Sequence, residues 1–349
     1  MIEMFAGSGV LSATSATEGI RAVAIDQRSN RHAQKCKCMN FDLATAEGQL
    51  EFDTLFRRLL GETEQIVVWM APPCGTASRA RGIPVNAKDP PRPLRSAKFP
   101  WGLEGVSFSE KDQAKLDAAN KVYAWTLRFL TGLPDHVRWV VENPVGSLMW
   151  CLPGFVAIGG RSGVVDVDTT MCNHGGSRDK RTRLRTNAPE LSELAGPCSA
   201  THPPRYIDSQ GGHHLHKPWG LNRTDGWATA SEAEYPLEFC TKVLRSLFPQ
   251  AFAENKKTKT ESREEKREQS PRREVTTDTK GLGQRRPEEM VKEETVKTLG
   301  VPRPPAPRTD QTKVPETTGS EPTTDAGRPT SGLGQQGWAG RRGAEDIQR

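Results

Sequence analysis

The sequence predicts an α/β domain built on a largely parallel sheet, and three observations predict it. Over the first 145 or so residues, short apolar runs alternate with stretches of helical period. The residues with chemical character stand directly after those runs, at the carboxyl ends of the expected strands, where open α/β sheets bind ligands. Beyond about residue 150 the alternation loosens, until one amphipathic stretch at about 236–248 reads as a closing helix.

Taken in order, residues 2–5 read as a strand, followed by the turn Ala6-Gly7-Ser8-Gly9 and a helix from about 10 to before Gly19. A second strand, 22–25, is closed by Asp26. The acidic turn Asn40-Phe41-Asp42-Leu43 precedes a helix over about 49–60. Residues 65–70 form the clearest buried strand and run straight into Ala71-Pro72-Pro73-Cys74. A long polar loop leads to a helix over about 110–130, and the strand 139–141 then ends in Glu142-Asn143-Pro144.

Composition limits the folded part. Hydrophobic residues are 34% of the 349, against roughly 45–50% apolar in an ordinary globular chain, and the deficit collects near the C-terminus. From about residue 254 the chain is Pro-, Thr-, Lys-, Arg- and Glu-rich without an apolar period. Such a segment cannot bury enough apolar area to offset its ordering entropy, so residues 254–349 are expected to be a disordered tail. The net charge of +6 permits a polyanionic partner without demanding one. No run of 18 apolar residues and no secretory signal pattern occur. Seven scattered cysteines suit a reducing compartment, and an intracellular, nuclear location is expected.

Five places could carry chemistry. Gly7 and Gly9 let the backbone approach a ligand at a helix N-terminus, although Ser12 stands where a full dinucleotide pattern has its third glycine. Asp26 can accept ribose hydroxyls or merely cap a helix, and Asp42 is a weaker case of the same kind. Cys74 is held between stiffening prolines and a loop containing Arg79 and Arg81, which would favour its thiolate; inert packing is the plainer alternative. Glu142 can act as an acid or hydrogen-bond partner, or cap the short helix near Ser147. Arg183 and Arg185 alternate on an expected strand and so point one way, toward a site or toward solvent.

FAGSG, APPCGTAS, ENP and RTRLR occur in this chain in the order seen in cytosine-C5 DNA methyltransferases, which it resembles over residues 2–187 and again, weakly, at 230–247. It is also similar to mobile-element-linked members of that group, and its start at the first strand leads to the expectation of a truncated gene product. The resemblance implies a Rossmann-like class I S-adenosylmethionine-dependent methyltransferase acting on DNA. Phe5, Ala6, Gly7 and Gly9 would line the cofactor, Asp26 would bind its ribose, and Asp42 would lie near its adenine. Cys74 would attack C6 of a flipped cytosine, Glu142 would hold N3, and Arg183 and Arg185 would lie near the base and backbone. The implied layout is a catalytic core at 1–150, a recognition region at 151–235, and a helix at 236–253 returning to the core.

The chain departs from that pattern in several places. Pro144 stands where valine is usual, and Gly75 where glutamine is common. The loop after Cys74 is about thirty residues longer, the usual Gly-Asn pair before the last helix is missing, and the recognition segment at about 187–230 is short. RNA as substrate, or a catalytically inactive nucleic-acid-binding relative, are the alternatives. Outside the pattern lies a cluster of cysteines and histidines, Cys172, His174, Cys198, His202, His213, His214 and His216. Cys172, Cys198, His202 and His216 are the expected ligands of one structural zinc, an ordinary polar loop being the alternative.

Overall fold

The computed structural model describes residues 1–82, 92–219 and 232–254. The chain divides into residues 1–274 and 275–349, and every described residue lies in the first part. The expected tail at 254–349 lies, but for Glu254, outside the described residues.

Seven strands form the main sheet: β1 (Ile2–Met4), β2 (Val23–Asp26), β3 (Cys38–Asn40), β4 (Val67–Met70), β5 (Arg138–Pro144), β6 (Val165–Thr170) and β7 (Arg181–Thr186). Their order is β3-β2-β1-β4-β5-β7-β6. The first five run parallel, while β7 is antiparallel to both neighbours. A two-stranded hairpin, β8 (Tyr206–Ile207) and β9 (His213–His214), stands apart. The helices are α1 (Val10–Thr17), α2 (Ala46–Glu62), α3 (Glu110–Thr131), α4 (Pro153–Gly159) and α5 (Leu237–Leu247).

Alternation along the strands makes two cores, because successive side chains point to opposite sheet faces. Val68, Met70 and Val141 face α2, α3 and α4, where Phe52 stacks on Phe56 and Trp125 on Phe129, the two pairs meeting edge on face. Val67, Trp69, Val140 and Leu184 face α1 and α5. Helix α5 buries Phe239, Cys240, Val243, Leu244 and Leu247, an i, i+4, i+8 stripe with its flanking row. Helix α3 starts where Ser109 accepts from the Asp112 N–H at 3.2 Å, with Glu110 and Asp112 opposing the helix dipole.

Three differences from the sequence expectation have physical reasons. Helix α2 begins at Ala46, not near 49, because Thr45 caps it by accepting from the Gly48 N–H at 3.1 Å. Gly48 reads as a breaker, yet a Cβ there would meet the Asp42 carbonyl oxygen at 2.3 Å, so glycine permits the close approach. Strand β3 was not expected; it is three residues long and largely exposed at the sheet edge, with no apolar alternation to reveal it. Strand β5 extends to Pro144 because β7 pairs with it that far, and β6 and β7, from the expected recognition region, complete the main sheet.

Candidate active site

Parallel pairing puts the carboxyl ends of β1, β2, β4 and β5 on one edge, and the connections diverge between β1 and β4, the usual binding crevice of an open sheet. The turn after β1 is unusual. Phe5, Gly7 and Gly9 all have left-handed φ, at 57°, 57° and 68°. For Phe5 that conformation is strained, and such strain gathers at functional sites. The Asp26 carboxylate closes the turn from the end of β2: Oδ2 accepts from Gly7 N–H at 2.7 Å and Asn30 Nδ2 at 3.1 Å, and Oδ1 accepts from Gln27 N–H at 2.7 Å. Burial raises its pKa above the usual carboxylate value.

The segment between β2 and β3 folds back onto this turn, which nothing in its sequence indicated. Lys35 N–H donates to Ser8 O at 2.7 Å, and Asn30 Nδ2 donates to Gly7 O at 2.6 Å. Asp42 is exposed two residues beyond the end of β3, and its Oδ1 accepts from Ala44 N–H at 3.0 Å.

Cys74 is braced from three sides. Tyr123 donates to Pro73 O at 2.6 Å, Asn143 Nδ2 donates to Pro72 O at 2.8 Å, and Ser78 N–H donates to Cys74 O at 2.7 Å. Buried Arg95 stiffens the next residues by donating to Thr76 Oγ1 at 3.0 and 3.2 Å, with its guanidinium over the Tyr123 ring. Nothing in the polar loop marked Arg95 beforehand.

Glu142 is buried on the α5 side of β5, and its charge reaches the Cys74 thiol. Burial first, then the Glu142 carboxylate, push that thiol above its ordinary pKa, while Lys180 pulls it down. Lys180 Nζ is 3.7 Å from Glu142 Oε1, which has no hydrogen-bond donor among the described residues. Tyr235 donates to Glu142 Oε2 at 3.2 Å and itself accepts from Trp69 Nε1 at 3.1 Å. The short helix near Ser147 is capped by Ser147 itself, through Met149 N–H at 3.3 Å, so Glu142 is not its cap.

Arg183 and Arg185 do not join this group. Leu184 opposes Glu142 across the β5–β7 pair, so its two neighbours point to the other sheet face. There Arg185 pairs with Asp166 at 2.6 and 2.7 Å, donates to Phe155 O and lies over Trp150. Arg183 pairs with Asp168 at 2.6 and 2.8 Å. Arg81 is likewise tied to Asp112 at 2.7 Å. Among the described residues the cation whose charge reaches the thiol is Lys180, just before β7, which sequence reasoning missed because it attended to the repeated arginines.

This predicts a titration. Alkylation of Cys74 by iodoacetamide, followed against pH by peptide mass spectrometry, should have its midpoint above the ordinary thiol range. Glu142→Gln should move that midpoint down and Lys180→Met should move it up. Two unmoved midpoints would mean that neither charge faces the thiol.

Seven strands in this order, with one reversed strand next to the edge and a glycine turn after β1, match the Rossmann-like fold of class I S-adenosylmethionine-dependent methyltransferases. No family model and no curated protein matches the chain. Among solved structures it is similar to the S. pombe Dnmt2 methyltransferase, with 11% identity over 62% of this chain and 60% of that one and a TM-score of 0.31. The Entamoeba histolytica methyltransferase EhMeth shows 13% identity over 62% and 56%, with a TM-score of 0.30. A Spodoptera frugiperda DNMT2 variant shows 12% over 53% and 48%, with a TM-score of 0.27. The chain thus spans less than two thirds of each, and the fold class rests on its own strand order.

Proposed function

We propose that the protein transfers a methyl group from S-adenosylmethionine to C5 of cytosine in DNA, through a covalent Cys74 adduct, and does so in the nucleus. The observation that carries this reading is a braced cysteine whose thiol feels a buried carboxylate, Glu142, at the ligand-binding edge of a methyltransferase fold.

The cofactor suits the turn after β1. Asp26 Oδ1, with one donor already, has a lone pair left for a ribose hydroxyl. Phe5, Ala6, Gly7, Gly9 and Asp26 would hold it, with Asp42 near the adenine end. When bound, S-adenosylmethionine supplies an electrophilic methyl group. Asp26→Ala should weaken its binding by about tenfold or more, the worth of one hydrogen bond to a charged group, as read by calorimetry. Unchanged affinity would remove Asp26 from the site.

The chain's own residues prepare the cytosine. Cys74 Sγ, as thiolate, bonds to C6, and the C5–C6 π pair becomes available at C5. Glu142 holds a proton at N3, so the negative charge building on the ring is neutralised. Once C5 is methylated, water takes the C5 proton, the electron pair returns to C5–C6 and expels the Cys74 thiolate, and the proton held at N3 goes back to Glu142. Lys180 steadies the Glu142 carboxylate and lowers the cost of forming the thiolate.

The test is transfer of labelled methyl groups to DNA and to RNA, with Cys74→Ser as control. Label in DNA cytosine supports the proposal, label confined to RNA moves the substrate class, and no label with bound cofactor identifies an inactive relative.

A further inference from the structure

We infer that Cys172, Cys198, His202 and His216 form a closed tetrahedral zinc site that pins the segment 195–219 to the sheet domain. Their four ligand atoms lie within 4.8 Å of one another. Cys198 Sγ is 3.4 Å from His202 Nε2 and 3.3 Å from His216 Nε2, and the two Nε2 atoms are 3.2 Å apart. Zinc bonds of about 2.3 Å to sulfur and 2.0–2.1 Å to nitrogen make tetrahedral edges of about 3.5 Å (S to N) and 3.4 Å (N to N). The observed separations are close to those edges.

Proton placement agrees. His202 Nδ1 lies 2.9 Å from Pro203 O, which can only accept, so Nδ1 carries the proton and Nε2 turns a lone pair into the cluster. A hydrogen bond joins two atoms along a line, whereas four ligand atoms gathered within 4.8 Å of one another suit a central cation. Two sulfurs and two imidazoles are a zinc donor set, and four protein ligands leave no open position for chemistry.

The fold gives this metal a task. None of residues 195–219 is buried, so apolar burial cannot offset the entropy of ordering them. Cys172 is fully buried on the turn after β6, while the β8–β9 hairpin brings His216 back to Cys198 and His202. A zinc ion would thus tie an exposed hairpin to a core residue. Just beyond it, Lys217 N–H donates to Ser177 O at 2.7 Å, Pro218 O accepts from Arg178 Nε at 3.1 Å, and Trp219 lies under the Arg178 guanidinium. These contacts hold the stretch that leads to Lys180. The assignment of the metal itself does not depend on the proposed reaction.

The experiment is metal analysis of full-length protein purified in zinc without chelator, alongside the visible spectrum of its cobalt(II) form. About one equivalent of zinc and a tetrahedral cobalt spectrum with thiolate charge transfer are expected. Cys198→Ser and His216→Ala should lose most of the metal, while Cys151→Ser and His213→Ala keep it. If the ligand variants fail to fold, the wild-type cobalt spectrum decides alone. Chelation should speed protease cleavage within 195–219 by about tenfold or more, leaving the sheet domain intact. Less than about half an equivalent of zinc, an octahedral cobalt spectrum, or full zinc in folded Cys198→Ser protein would overturn the inference.

Discussion

Cys74→Ser is expected to lower methyl transfer by at least about three orders of magnitude, about 4 kcal/mol of barrier, and to abolish adduct formation altogether. Cytosine C5 is a poor nucleophile until a neighbouring atom pushes electron density into the ring. A thiolate at C6 can do this; a serine hydroxyl beside the buried Glu142 carboxylate stays protonated and cannot. The decisive substrate is 5-fluorocytosine in DNA, presented with S-adenosylmethionine. Its fluorine cannot leave as a proton does, so the electron pair never returns to C5–C6 and the thiolate stays bonded. Wild-type protein should give a denaturation-resistant complex, and Cys74→Ser protein none. Because the raised thiol pKa limits the thiolate at neutral pH, trapping should quicken as pH rises toward that pKa. Active protein that methylates cytosine but traps nothing would remove Cys74 as the nucleophile. A substitution of this size in a partly buried, well-braced turn should leave the melting temperature nearly unchanged, so lost chemistry can be told from lost fold.

Phe239→Ala is expected to cost about 3–5 kcal/mol of stability, the largest structural effect foreseen for one substitution here. Phe239 is completely buried, with Trp69 and Tyr235 at ring-centroid distances of 6.1 and 5.5 Å. Removing it opens a cavity between α5 and the sheet, beside the ring of Tyr235, whose hydroxyl bonds Glu142. At roughly 2–4 °C per kcal/mol for a domain of this size, the melting temperature should fall by about 10 °C. Leu237, two residues earlier and 66% exposed, supplies the comparison: Leu237→Ala should stay within about 0.5 kcal/mol. Equal effects in a denaturant titration would mean that α5 does not dock through this face.

Much of this molecule is legible in one dimension. Val67–Met70 and its prolines announce a buried strand ending at a stiff turn, and Phe239, Val243 and Leu247 announce a helix with one apolar face. Period and composition carry those statements because each depends on neighbours within a few residues. The positions of Gly7, Asp26 and Cys74 at or just beyond strand ends were readable for the same reason, whereas Glu142, expected at a strand end, lies inside β5.

Other features depend on partners distant in sequence. The sequence alone determined that Arg183 and Arg185 share a face, because strand alternation is local. Which face they share was decided by register against β5 and by Asp166 and Asp168 on β6, which pair with them away from the thiol. That leaves Lys180 beside Glu142. The sequence also determined that Cys74 is a thiol on a rigid turn, but only the tertiary structure decided its charge environment. Burial and a carboxylate 68 positions away raise its pKa, where the nearby arginines had suggested the opposite. Electrostatic energy depends on distance and burial in space, and neither is encoded in the spacing of residues along the chain.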